Sequence, residues 1–68
     1  MAMKRYTDAI NELSHALSIE SDTKDAYKNR AECYRLLVDI TQDEEKKKEY
    51  VILAETDEKK YDELNLEA

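Results

Sequence analysis

The chain contains neither glycine nor proline. Tight turns and sheet edges draw on both residues, because one supplies positive φ and the other presets φ near −65°. Helix interiors exclude both. The remaining composition is 41% charged, with abundant Ala, Leu, Glu and Lys, which is the composition of helices. The expected fold class is therefore all-α. With 68 residues there is room for one small domain, spanning 1–68.

The same constraint limits how such a chain is held together. A domain of this size buries only about 60% of the surface of its unfolded chain. One cysteine, Cys33, forms no intrachain disulfide and supplies no cysteine-rich metal site. It fits a reducing compartment. The net charge of −6 opposes contact with phosphate backbones and anionic lipid surfaces. No apolar run is long enough to span a bilayer, and the N-terminus has no signal-peptide core. The expectation is a cytoplasmic protein with no nucleic-acid or membrane partner.

Apolar residues mark three helices. Tyr6, Ala9, Ile10, Leu13, Ala16 and Leu17 recur at helical period and predict a first helix over about 3–20. "SDT" at 21–23 reads as a turn, with Asp22 as N-cap of the next helix and Asp25 at the positive helix end. The second helix, about 23–40, carries Ala26, Tyr27, Ala31, Tyr34, Leu37 and Val38 on one face. Cys33, Leu36 and Ile40 broaden that face, so this helix is expected to touch both neighbours. Thr41 and Glu44 match a capping box, which predicts a break near 40–43 and a third helix over about 43–64. The alternative is one uninterrupted helix, which would expose the stripe and force dimerisation. The run "DEEKKKE" pairs opposite signs on a solvated face. Residues 65–68 are expected to fray.

"YTDAINELSHALSIES" (6–21) is similar to the second helix of a tetratricopeptide repeat, with Tyr6, Ala9, Leu13 and Ala16 at its aromatic, small, large and small positions. "AYKNRAECY" (26–34) resembles the first helix of a following repeat, with Tyr27, Ala31 and Tyr34 in place. Small residues at Ala9, Ala16 and Ala31 would let backbones approach, and the larger residues would fill the space beside them. "ESDTK" at 20–24 returns as "ETDEK" at 55–59, and Tyr27 and Tyr61 stand one repeat period apart. The resemblance covers about 4–38. Ser21 stands where the family has proline. Asp43 and Lys47 fall where a small and a large apolar residue belong. The tail resembles the long charged closing helix of some small bacterial repeat proteins.

The resemblance implies an antiparallel hairpin plus a third long helix, a fragment of a right-handed α-α superhelix. It implies a concave face bearing Asp25, Lys28, Asn29, Glu32, Arg35 and Leu36, which would bind a peptide or helix of a protein partner. The bland reading of that face is solvated helix with pairs such as Lys28–Glu32, worth about 0.2–0.5 kcal/mol each. Asn29-Arg30 stands where chaperone-adaptor members hold a peptide's terminal carboxylate. The companion Lys and Asn of a preceding helix are missing, and on the following helix Lys59 and Lys60 offer charge but Glu63 replaces an Arg, so "NRA" reads as scaffold. The helix that would precede residue 3 in such a repeat is not in the chain. An uncovered edge is expected as a result, and with it a homo-oligomer. The alternative function is a structural capping repeat of a longer helical array, with no ligand of its own.

No catalytic constellation, phosphate loop, cofactor site or metal site emerges, so the chain is not expected to be an enzyme. His15 lies off the stripe and reads as solvated. Cys33 reads as a small core residue. The five tyrosines sit at helical spacing on apolar faces and read as packing residues.

Overall fold

A computed structural model describes the backbone of residues 2–67 and the side chains of residues 3–66. Three helices account for nearly all of it: α1 (Ala2–Ile19), α2 (Lys24–Ile40) and α3 (Glu44–Glu67). The fold is all-α. Helix α2 lies in the middle and packs on both neighbours. Among the described residues, α1 and α3 make no close backbone contact with each other. The molecule measures 38 × 19 × 13 Å. The long axis is α3 itself, because a helix of 24 residues spans about 36 Å at 1.5 Å per residue.

The break between α2 and α3 lies where the sequence places it, but other residues make it. Thr41 is the C-terminal cap of α2, and its backbone N–H donates to the Leu37 carbonyl. Asp43 caps α3: its Oδ1 accepts from the N–H groups of Glu45 at 3.0 Å and Lys46 at 3.4 Å. This satisfies two of the free donors at the helix start. The Thr41–Glu44 capping box is therefore not formed. Thr41 is buried instead, and its hydroxyl has no hydrogen-bond partner among the described residues.

A second correction applies at the start of α2. The N-cap is Thr23, not Asp22, and its hydroxyl donates to Glu20 Oε2 at 3.4 Å rather than capping the helix. At the other end, α3 continues through Glu67 rather than fraying from residue 65, and Lys24 Nζ on α2 donates to Asn65 Oδ1 at 3.1 Å. The fraying expected at Ala68 lies outside the described residues.

The apolar core is thin. Ile10 and Leu17 of α1, Ala26, Ala31 and Leu37 of α2, and Ala54 of α3 are buried. Ala26, Ala31 and Ala54 are the small residues on the packed faces. Ala16, read from the sequence as another, is exposed, whereas Ile10 and Leu17 carry the buried stripe of α1. The tyrosines fill the gaps: Tyr34 and Tyr50 stack with ring centroids 6.2 Å apart and planes inclined by 24°. Such pairs add about 0.5–1.5 kcal/mol beyond their burial.

Leu37 is the largest fully buried side chain among the described residues. Truncation of Leu37→Ala is expected to cost about 2–5 kcal/mol. The urea midpoint should fall by most of its wild-type value, because a domain of this size has only about 3–5 kcal/mol from its core. An unchanged midpoint would contradict the central position given to α2.

Candidate functional site

Two charged constellations cross between helices. The first is buried. Arg30 of α2 lies among Ala26, Tyr27, Ala31 and Tyr34, and Asp57 of α3 falls on the stripe of Tyr50, Ala54 and Tyr61. Their side chains meet in a two-point bridge: Arg30 Nε donates to Asp57 Oδ2, and Nη2 to Oδ1, both at 2.7 Å. The third nitrogen, Nη1, donates to Ser14 Oγ of α1 at 3.1 Å. The guanidinium carbon lies 5.6 Å from the centre of the Tyr27 ring, and the Tyr27 hydroxyl donates to the Ser21 carbonyl at 2.8 Å. One side chain thus holds all three helices. The Asp57 hydrogen bonds push the Arg30 pKa above its ordinary value, against the opposing effect of burial.

This arrangement decides what Arg30 can do. Its fork is filled by an internal carboxylate, so it has no free geometry for the carboxylate of a peptide. Asn29 beside it is exposed. Within "NRA", Arg30 is engaged and Ala31 is buried.

The second constellation is a surface groove between α2 and α3, of about 550 Å³. Its apolar lining is Ala31, Leu36 and the Tyr61 ring. Lys28, Glu32, Arg35 and Asp39 line the α2 side, and Glu58 and Asp62 the α3 side. Arg35 crosses it, donating from Nε to Glu58 Oε2 at 3.1 Å and from Nη2 to Oε1 at 2.8 Å. Lys28 Nζ sits 5.8 Å from the centre of the Tyr61 ring. Of the six candidate residues named from the sequence, Lys28, Glu32, Arg35 and Leu36 line this groove. Asp25 and Asn29 are exposed on α2 outside its lining.

The α3 wall was not found from the sequence. A usable signal existed for the buried bridge: Arg30 and Asp57 each interrupt an apolar stripe, and a charge on a packed face requires a partner. Nothing comparable marks Glu58 or Asp62, whose place depends on how α3 rotates against α2.

Cys33 is half-buried, and burial, reinforced by Glu32, pushes its thiol up, away from the thiolate that a nucleophile needs. Burial likewise raises the Tyr34 hydroxyl, with Arg30 opposing. Among the described residues, no group of three or more His, Cys, Asp or Glu is placed to hold a metal ion. No helix among them is long and apolar enough to cross a membrane.

The Arg30 and Asp57 side chains are 20% and 5% exposed, so removing one partner leaves the other charge buried. Asp57→Ala is expected to cost about 3–5 kcal/mol, enough to unfold most of the population at 25 °C by circular dichroism. The double variant Arg30→Met with Asp57→Leu should recover helicity, because apolar replacement of both ends removes the desolvation cost. A well-folded Asp57→Ala would show that the bridge does not hold the helices.

The exposed Arg35–Glu58 pair has a different signature. The hydrogen bond from Arg35 holds the Glu58 carboxyl below its ordinary value, slightly opposed by burial. A depressed folded value gives stabilisation that is present above the unfolded glutamate value and is lost as pH falls through the folded one. Carbon-detected NMR titration should place the Glu58 midpoint below that of ordinary glutamates, and Arg35→Gln should return it to their range. A Glu58 midpoint indifferent to Arg35→Gln would mean that the two side chains do not meet in solution.

Comparison with known proteins returns no matching family model, no matching curated protein and no matching solved structure.

Proposed function

We propose that this protein is a small helical interaction module that binds a peptide or helix of another protein in the groove between α2 and α3. The observation that carries this reading is the groove itself. It combines apolar lining residues with charged ones, and Arg35 and Glu58 pair across it. Sites of this kind combine an apolar anchor surface with polar groups that set orientation. The tetratricopeptide-type reading is part of the proposal and is supported by the motif positions in α1 and α2. A non-enzymatic role in the cytoplasm belongs to the same reading.

Self-association is a second element. Ile19, Ile52 and Leu66 are more than half exposed, and Leu36 of the groove lining is 41% exposed. A capping repeat in a longer array would account for the same open face, because a flanking helix would cover it.

The test is panning of a random 12-residue peptide library against the folded protein, with the best binder mapped by amide chemical shifts. Perturbations are expected at residues 28–39 and 58–62, and Leu36→Glu should weaken binding at least tenfold while leaving helicity intact. No enrichment, or a binder indifferent to Leu36→Glu, would overturn the groove reading.

A further inference from the structure

The charges around the groove specify the chemistry of its occupant. Its lining holds two cations, Lys28 and Arg35, and four carboxylates, Glu32, Asp39, Glu58 and Asp62. One of these cations is neutralised within the fold, and the other keeps its charge. Arg35 is bound at two points by Glu58, and Lys28 lies over the face of Tyr61. Among the described residues, Glu32, Asp39 and Asp62 have no ion-pair partner. Three unpaired carboxylates therefore line the groove beside its apolar residues, on a chain that already carries −6.

The shape adds a length. The α2 wall runs from Lys28 to Asp39, about 16 Å or three helical turns. A slot between two packed helices accepts a third helix by ridge-into-groove packing. An occupant of that length with an apolar stripe at i, i+3 and i+4 would meet Ala31, Leu36 and Tyr61, while its flanking positions would meet the carboxylates.

Resting on the groove reading of the preceding subsection, we propose that the partner is a basic amphipathic helix about three turns long, presenting Lys or Arg on both sides of an apolar stripe. Its cations would pair with Glu32 and Asp39 on one wall and Asp62 on the other. An acidic peptide would meet repulsion from the same three groups, which outnumber Lys28, the one lining cation without an ion-pair partner among the described residues. The acidic rim would also steer a cationic partner to the groove and make association sensitive to salt.

The peptides enriched by panning provide the test, since their composition and their location are read separately. Enriched sequences are expected to carry net positive charge, and their affinity should fall at least tenfold between 50 and 500 mM salt. The variant Glu32→Lys, Asp39→Lys, Asp62→Lys should lose at least tenfold in affinity. A control with the same change in total charge away from the groove, Asp8→Lys, Glu12→Lys, Glu63→Lys, should lose less than threefold. Equal loss in the two variants would show attraction to net charge alone and overturn the inference. Neutral or acidic peptides that still depend on Leu36 would overturn it while leaving the groove reading intact. Basic peptides indifferent to Leu36→Glu would overturn both.

Discussion

Arg30 is the point at which the three helices become one structure. It rises from α2, grips Asp57 of α3 with two nitrogens and reaches Ser14 of α1 with the third. Among the described residues the outer helices make no close backbone contact with each other, so their relative placement passes through α2 and through this side chain. A thin core makes the dependence stronger, since only a few apolar side chains are buried. A buried ion pair is not by itself a strong source of stability, because desolvation opposes the Coulomb attraction. Its contribution here is orientation. Two parallel hydrogen bonds fix the rotation of α3 against α2 in a way that alanine and tyrosine contacts alone would not.

That rotation builds the groove. With Asp57 turned to Arg30, the next residue, Glu58, falls at the edge of the α2–α3 contact and meets Arg35. Tyr61 then lies one turn on, under Lys28. Asp62 completes the rim. A rotation of α3 by one residue, about 100°, would bury Glu58 and remove the slot. The internal bridge and the surface groove are thus one design seen from two sides of α3. The first consumes the arginine that motif reasoning would offer to a ligand. The second exposes the carboxylates that no internal cation neutralises.

The lining of the groove is acidic on balance. Four carboxylates face two cations, and one of those cations, Arg35, is paired with Glu58. This is why the chain's overall charge and its local rim favour the same kind of ligand. The Asn29-Arg30 pair is not part of that lining. One residue of that pair is occupied and the other stands on the outer surface of α2.

Much of this architecture follows from the sequence alone. The absence of glycine and proline, together with apolar residues at helical spacing, determines three helices, and the polar segments 20–23 and 41–43 determine where they part. The width of the α2 stripe determines that α2 is the middle layer. These are local properties, set by backbone preference and by the period at which apolar residues recur. The tertiary structure alone decided which polar side chain caps α3, that Ala16 stays exposed while Ile10 and Leu17 are buried, and that Arg30 finds Asp57 and Ser14. It also decided that only four of the six residues expected to form the binding face share a groove, and that α3 supplies the opposite wall. Each of these depends on the rotation of one helix about its axis relative to another. Helical periodicity fixes a face to within about one residue, and one residue is enough to exchange a buried carboxylate for an exposed one.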